Sequence, residues 1–474
     1  MNGLRHLQGM RDLAGGAWLK LKRAQDKLAG FFSLYGYAPL ETPLLEPTEL
    51  FLRKSGGEMA VRTYAFADPG GNQVSLRPEF TASVVRHYME TWREKPLPWR
   101  VQYAGPVFRY QPGEEPRQFT QVGAELVGCA GPEADAEVLC LCIQSLKEAG
   151  VREPLLALGD AGVYTSVLES LGLSERARLF ILGSLSQLRE GPAGVEAVKE
   201  RARQFHLPAG GPREELRDAI RHLDRKEAQE LLHQLLVRSE SSALGQRTIQ
   251  KVEERLLFKL QGGDDPASME KGLEVASRLA AVRGATRSAI ASARKTLKSY
   301  GLGTSALARL EEALRLAALQ GLPRNAVTLD FGLARGIAYY TGIVFEVNDS
   351  KNGLSLGGGG RYDTLVRALG HPEDVPALGF AFTLENVAQA VGEAGPTVES
   401  ETHPVLVVPA GREAYGAALQ VAAEMRREGT PAEVEVCGRS IAEARAYART
   451  RGIRTVVEVD ASGKAVKRSF GGRR

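Results

Sequence analysis

Strand-like segments occupy two separate parts of this 474-residue chain, and a long stretch that is poor in β-branched residues divides them. Short runs typical of β-strands lie between residues 62 and 127, and again between residues 326 and 382. From about residue 152 to residue 320, Leu, Ala, Glu, Arg and Gln dominate, which favours helices. The pattern predicts one antiparallel sheet that is assembled from both parts, with helices inserted between them.

Three predicted domains follow from this division. Residues 1–150 and 325–392 form an α+β core, residues 151–324 form a helical insertion, and residues 403–474 form a small α/β domain. The last assignment depends on strands and helices that alternate from Val405 onwards, after a polar linker. Within the core, the turn Asp68-Pro69-Gly70-Gly71 predicts a β-hairpin between residues 62–67 and 73–76.

Composition excludes some classes of protein and leaves others open. No apolar run reaches the roughly 18–20 residues that a membrane-spanning helix needs, so we expect no membrane partner. A net charge of +4 does not decide whether the chain binds nucleic acid. The four cysteines (Cys129, Cys140, Cys142 and Cys437) lack the paired spacing of a zinc site. We therefore expect buried, reduced thiols in a cytoplasmic protein without a metal site.

Several short motifs occur in a fixed order along the predicted core. They are Gly9–Asp12, Leu76–Ala82, Phe108–Tyr110, Arg117–Gln121, Arg335–Gly342, Gly359–Asp363 and Leu378–Phe380. In this order they resemble the motifs of the histidyl-tRNA synthetase family, over residues 5–150 and 325–390, with weaker similarity in the last domain. The resemblance implies a class II aminoacyl-tRNA synthetase-like core, an anticodon-binding-like C-terminal domain and a homodimer formed through the segment around Pro43.

The resemblance implies a histidine site within these motifs, and the hydrogen-bond chemistry of their side chains suits such a site. Carboxylate and amide oxygens suit an α-ammonium group and an imidazole N–H, and tyrosines can form an aromatic wall. The predicted histidine-binding residues are Glu79, Thr81, Arg109, Gln121, Glu125, Arg335, Tyr339 and Tyr340. The alternative is that the acceptors are solvated strand residues and that the aromatic residues only pack. The resemblance implies that Arg335 lies beside the histidine carboxylate.

The same resemblance implies remnants of an ATP site. Arg109 resembles the arginine that contacts the α-phosphate, Phe119 resembles the aromatic residue that stacks on adenine, and Arg117 is the arginine left in the motif 2 loop. Three departures weaken this half of the site. Asn386 stands where the family has an arginine that clamps the outer phosphates, Glu114 and Glu115 add negative charge to the loop, and Ala338 and Thr383 replace an aspartate and a glycine.

This combination favours binding of histidine without adenylation, and it resembles the regulatory subunit of ATP phosphoribosyltransferase. That reading implies no cofactor and no catalytic residue, with L-histidine, a short-form catalytic subunit and a second copy of the chain as partners. Residues 123–128, 132–137 and 158–162 resemble that subunit more than a synthetase. About seventy residues after the core argue against it, because that subunit usually ends sooner.

Two alternatives stay open. A divergent histidine–tRNA ligase would use Arg109 and Arg335 in catalysis and would need ATP and Mg²⁺. A non-catalytic synthetase-like module would bind tRNA or another partner.

Overall fold

The structure is a computed structural model, which describes residues 5–53, 61–91, 96–110, 113, 116–205, 227, 230, 264–333, 339–391 and 404–470. It divides into two compact units, Met1–Gly392 and Glu393–Arg474. None of the described helices is both long enough and apolar enough to cross a membrane.

The first unit contains most of the helices. The described ones are α1 (Gly15–Leu34), α2 (Thr48–Leu52), α3 (Thr81–Thr91), α4 (Pro132–Ala149), α5 (Ala161–Ser170), α6 (Glu175–Leu182), α7 (Leu185–Leu188), α8 (Pro192–Gln204), α9 (Pro266–Ala280), α10 (Thr286–Ser299), α11 (Ala306–Leu319), α12 (Leu365–Ala368) and α13 (Leu384–Val391). Its strands are β1 (Ala38–Pro39), β2 (Leu45–Pro47), β3 (Ala65–Ala67), β4 (Gln73–Leu76), β5 (Trp99–Phe108), β6 (Gln118–Val127), β7 (Pro154–Asp160), β8 (Arg283–Ala285), β9 (Val327–Asp330), β10 (Ile343–Asp349), β11 (Ser355–Arg361) and β12 (Ala377–Thr383).

A nine-stranded sheet joins the two parts of the chain, in the order β1-β5-β6-β12-β11-β10-β7-β9-β8. Its centre is antiparallel, as predicted, but β1 pairs with β5 and β7 pairs with β9 in parallel. The sheet is therefore mixed. The α+β class is as the sequence predicted.

Strand β7 corrects the sequence analysis, because residues 154–160 lie inside the predicted helical insertion. The strand instead occupies an inner position of the sheet and pairs with β10 over seven residues, from Asp160 opposite Ile343 to Pro154 opposite Asp349. A run of Leu and Ala is compatible with a helix or a strand, and the long pairing with β10 makes these residues a strand. The short strand β8 also falls within the predicted insertion.

The predicted hairpin is confirmed. Strands β3 and β4 pair in antiparallel fashion, and β2 completes a three-stranded sheet in the order β2-β4-β3. The Asp68 carboxylate accepts the Asn72 backbone N–H at 2.8 Å, and Gly71 adopts the positive φ of 82° that the turn requires.

Helix α4 packs its apolar residues into the main core beside α1 and α11. It also supplies Asp135, which is fully buried and pairs with Arg361 of β11 at 2.7 Å. This buried pair connects the helix to the middle of the sheet. Cys140 and Cys142 are buried free thiols, as predicted, but Cys437 is exposed and Cys129 is half-buried, which corrects the prediction for those two.

The second unit is a small α/β domain. Its described elements are β13 (Val405–Pro409), α14 (Tyr415–Arg427), β14 (Ala432–Val434), α15 (Ile441–Thr450), β15 (Thr455–Val459) and β16 (Ala465–Ser469), and the sheet order is β14-β13-β15-β16. Val407 and Val457 face α14, whereas Leu406 and Val456 face α15. Because side chains alternate between the two faces of a strand, the sheet packs one helix on each face. Strand β16, which the sequence analysis did not predict, is an exposed antiparallel edge.

Candidate functional site: a polar cavity over strands β6, β12 and β11

A cavity of about 500 Å³ lies over the centre of the nine-stranded sheet. Its lining residues come from β6, β12 and β11, from the segments around α3 and β5, and from the start of α13. They are Glu79, Thr81, Tyr103, Arg109, Gln121, Tyr339, Tyr340, Ser355, Gly357, Gly358, Gly359, Tyr362, Gly379, Phe380, Ala381, Thr383 and Asn386. The structure thus brings six of the eight predicted histidine-binding residues together around one space.

Glycines give the cavity its floor. A Cβ atom on Gly359 would collide with the carbonyl oxygen of Gly379, and one on Gly360 would lie 2.7 Å from the ring of Tyr340. The run Gly357–Gly360 lies inside β11, where the neighbouring strands of the sheet approach too closely for a side chain. Close strand packing therefore requires glycine here, and Gly357, Gly358 and Gly359 line the cavity without side chains.

Glu79 is positioned by the start of helix α3. Its two carboxylate oxygens accept the backbone N–H groups of Thr81 at 2.5 Å and Ala82 at 3.0 Å. Burial raises the pKa of this carboxyl, while these hydrogen bonds oppose the increase. Glu79 therefore lies on the cavity wall, and its role as an acceptor for an ammonium group stays a prediction.

The side-chain oxygen of Gln121 is a hydrogen-bond acceptor that lacks a donor among the described residues. The side chain is 8% exposed, and its Oε1 atom has no hydrogen-bond partner among the described residues. A buried amide oxygen without a partner costs about 1–3 kcal/mol. A ligand that donates a hydrogen bond would remove this cost, which makes Gln121 the part of the cavity that most directly indicates a bound molecule.

The position of Glu125 differs from the prediction. It is 1% exposed and is not among the residues that line the cavity. Its carboxylate accepts hydroxyl hydrogen bonds from Thr81 at 2.8 Å, Tyr103 at 3.0 Å and Tyr362 at 2.5 Å. Burial raises its pKa to about 7. Glu125 therefore lies one layer behind the wall, and three hydroxyl groups separate it from the cavity.

The two predicted tyrosines form one side of the cavity. The ring centroids of Tyr339 and Tyr340 are 5.1 Å apart, and Tyr339 meets Tyr362 edge to face at 5.7 Å. Burial raises the pKa of Tyr339 well above its ordinary value, so its hydroxyl stays protonated. These contacts fit the predicted aromatic wall.

Arg109 lines the cavity, whereas Phe119 and Arg117 do not. The guanidinium carbon of Arg109 lies 5.1 Å from the ring centroid of Phe119, and its Nε donates to the carbonyl of Pro78 at 2.8 Å. Phe119 packs against a small cluster that includes Phe80, in keeping with the packing alternative. The guanidinium of Arg117 lies over the ring of Tyr110, with 4.8 Å between the guanidinium carbon and the ring centroid.

Thr383 and Asn386 are neutral members of the cavity lining. Thr383 pairs with Gln121 across the sheet, and the amide of Asn386, in the first turn of α13, donates to the carbonyl of Ser355 at 2.7 Å. Of the described residues that line the cavity, Arg109 is the only cation. Arg335, Ala338, Glu114 and Glu115, for which the sequence analysis made predictions, lie outside the described residues.

Sequence reasoning missed Tyr103, Tyr362 and Gly379. Tyr362 was quoted within a motif but was given no role, and Tyr103 had no local signal beyond strand alternation. A Cβ atom on Gly379 would overlap the Oε2 atom of Glu125, so this glycine makes room for the buried carboxylate. Only the pairing of β6 with β12 brings Gly379 opposite Glu125.

Known proteins resemble this chain over almost its whole length. A family model described as histidyl-tRNA synthetase matches residues 9–261 and 210–387. The histidine–tRNA ligase of Methanocaldococcus jannaschii is 30% identical over 454 residues, which cover 95% of this chain and 91% of that protein. The ligase of Pyrococcus furiosus is 30% identical over 470 residues, with 96% and 91% covered.

Solved structures show the same fold. A protein from Bacillus halodurans, described as an ATP phosphoribosyltransferase regulatory subunit/histidyl-tRNA synthetase, has a TM-score of 0.63 at 22% identity and covers 95% of this chain and 96% of its own. A histidyl-tRNA synthetase from a Nostoc species has a TM-score of 0.62 at 19% identity, with 99% and 97% covered. The fold is therefore that of a class II synthetase-like protein with a small C-terminal α/β domain. The chain belongs to the histidyl-tRNA synthetase family.

Proposed function

We propose that this chain binds L-histidine without forming the adenylate, and that it acts as the regulatory subunit of ATP phosphoribosyltransferase. The observation that carries the proposal is the contrast between two groups of residues in the cavity lining. Glu79, Gln121 and the two tyrosines provide an amino-acid pocket, whereas Asn386 stands at the position of the family's phosphate-clamping arginine.

Charge is the reason that Asn386 weighs against adenylation. Its amide is neutral, and one of its N–H groups is already donated to Ser355. Loss of one preorganised donor to a developing charge typically costs about 3–4 kcal/mol, or about 10²–10³-fold in rate. The B. halodurans protein, whose description combines the regulatory subunit with the synthetase, supports the choice of partner.

Reconstitution tests this proposal. The full chain should co-purify with a short-form ATP phosphoribosyltransferase catalytic subunit, and histidine should inhibit the complex. Glu125→Ala should weaken inhibition, because it removes the carboxylate that orders the three hydroxyl groups of the wall. Glu148→Ala, an exposed change on α4, is the matched control and should leave inhibition unchanged. A chain that never associates with the catalytic subunit would refute the assignment of partner.

A second candidate is a divergent histidine–tRNA ligase. The curated relatives with that name match 95–96% of the chain, and the C-terminal unit, which the regulatory role does not require, is present and folded. In this reading Arg109 would contact ATP, Mg²⁺ would be required, and the C-terminal unit would contact tRNA. Aminoacylation of tRNA by the purified chain would select this candidate.

We also propose that the chain forms a homodimer. Leu44 and Leu45, beside Pro43, and Phe66 of β3 are 45%, 48% and 45% exposed around the three-stranded sheet. Large apolar side chains that cluster on a surface are typical of an interface. Leu45→Glu should convert a dimer to a monomer in light scattering, and a wild-type chain that is monomeric at micromolar concentration would refute this part of the proposal.

A further inference from the structure

Three hydroxyl groups surround the Glu125 carboxylate behind the cavity wall. Thr81 and Tyr103 donate to Oε1, and Tyr362 donates to Oε2. An ionised carboxylate can only accept hydrogen bonds, so all three hydroxyl protons point away from the cavity and towards Glu125. Phe80 holds Tyr103 in this orientation, since the two rings stack with centroids 4.3 Å apart.

The same three residues line the cavity. Because each hydroxyl proton is committed to Glu125, the oxygen atoms present lone pairs to the space in front of them. Oε1 of Gln121 adds a fourth acceptor, which is buried and has no partner among the described residues. These four oxygen atoms therefore form a cluster of hydrogen-bond acceptors in the wall, beside the amide N–H groups of Gln121.

We propose that this wall selects histidine in its imidazolium form, in which the ring carries two N–H donors and no acceptor. The inference rests on the proposed histidine-binding function and deepens it. Where both ring nitrogens lie against these acceptors, a neutral imidazole would place the lone pair of one nitrogen opposite another lone pair. A buried acceptor left unpaired is unfavourable, and the buried negative charge of Glu125 further favours the cation.

The surrounding charges are consistent with this selection. Glu79 and Glu125 are the carboxylates at the cavity, and Tyr103, Tyr339 and Tyr362 stay neutral because burial raises their pKa values well above the ordinary value. Arg109, the cation of the described lining, lies near Glu79, whose pKa it lowers. The hydrogen-bond partners of Glu125 among the described residues are three neutral hydroxyls, so a ligand cation would compensate its charge.

The number of protons taken up when histidine binds distinguishes the two forms of the ring. Burial raises the pKa of Glu125 to about 7, so at pH 8 the empty site is mostly ionised, while free histidine, with an ordinary ring pKa of about 6.5, has a neutral ring. Binding in the imidazolium form at pH 8 should therefore take up about one proton per site. Binding in the neutral form should take up almost none from the ring.

The first experiment is calorimetric titration of the full chain with histidine at pH 8, in two buffers that differ in ionisation enthalpy, which counts the protons taken up on binding. The second is a ¹⁵N spectrum of ring-labelled histidine in the complex, which reports whether each ring nitrogen is protonated. We expect uptake of about one proton and two protonated ring nitrogens. The 1,2,4-triazole analogue of histidine has the same α-ammonium but a far less basic ring, and it should bind about tenfold more weakly or worse. A neutral bound ring, or equal affinity for the analogue, would overturn the inference alone. Absence of any histidine binding would overturn both the inference and the proposed function.

Tyr362→Phe tests the positioning role of the hydroxyl groups. This change keeps the ring that packs on Tyr339 but removes one donor to Glu125. The pKa of Glu125 should rise, and the pH of tightest histidine binding should move upward with it. A variant that folds and binds with an unchanged pH profile would show that Tyr362 only packs. Glu125→Gln provides the second measurement, because it should abolish proton uptake at pH 8.

Discussion

Gly379→Ala is a small change at the point where the sheet and the buried carboxylate meet. A Cβ atom there would overlap the Oε2 atom of Glu125 and would lie 2.5 Å from the carbonyl oxygen of Ala124. The backbone oxygen belongs to the β6–β12 ladder and cannot move without breaking strand pairs. Glu125 must therefore move, and its hydroxyl partners restrict where it can go.

The expected magnitude follows from these contacts. Overpacking of a dense core costs about 1–3 kcal/mol. Loss of one of the three hydrogen bonds to the Glu125 carboxylate adds about 1.5–3 kcal/mol, as is typical for bonds to charged groups. Together the free energy of unfolding of the first unit should fall by about 3–6 kcal/mol. Histidine binding should weaken as well, because the acceptor wall depends on the position of Glu125.

Urea unfolding followed by tryptophan fluorescence is a suitable assay, because the three tryptophans of the chain, Trp18, Trp92 and Trp99, all precede the second unit in the sequence. The control is Gly30→Ala in helix α1, where a Cβ atom would meet nothing within 4 Å. It should stabilise the unit by about 0.5–1 kcal/mol through helix propensity. If Gly379→Ala unfolds at the same urea concentration as the wild type and binds histidine equally well, the proposed packing around Glu125 is wrong.

Three further predictions concern stability. Burial raises the pKa of Asp160 from its ordinary value of 3.8 to about 7. Between these two values only the unfolded state is ionised, so the free energy of unfolding of the wild type should fall as the pH rises from about 4 to about 7 and should level off above that. Asp160→Asn should lack this loss, which is about 2.7 kcal/mol between pH 5 and pH 8, as measured by urea titrations at both pH values. Arg361→Met should cost about 3–5 kcal/mol in the same assay, because it leaves Asp135 buried without this partner, whereas the exposed change Arg315→Met should not shift the urea midpoint. Ser440→Ala should remove the capping box of α15 and lower the stability of the second unit by about 1 kcal/mol, as followed by far-ultraviolet circular dichroism.

Local signals made some elements predictable from the sequence. Helix α4 has local sequence signals at both ends, since Pro132 occupies the first turn and Gly150 ends the helix with a positive φ of 109°. The β3–β4 hairpin was equally clear because its turn chemistry is local. The ordered motifs also predicted six residues that line one cavity, although these residues lie up to 261 positions apart in the sequence, from Glu79 to Tyr340.

Features that depend on distant pairing were not predictable. The Leu and Ala residues of β7 suit a helix equally well, and only the ladder with β10 makes them a strand. Gln121 and Glu125 are four residues apart on β6 and so lie on one face of the strand, but their depths differ because Tyr103, Tyr362 and Thr81 donate hydrogen bonds to Glu125. The sequence therefore predicted the residue types of the site better than the layer that each one occupies.

Histidine-dependent ATP–pyrophosphate exchange by the purified full chain, with calorimetric titration of histidine alongside, is the most direct test of the central claim. Our account predicts that histidine binds and that exchange stays at background, because Asn386 offers a neutral amide where the family's arginine would meet the outer phosphates. Robust exchange would contradict the account, since it would show that the cavity forms the adenylate without that charge and that the chain is a histidine–tRNA ligase.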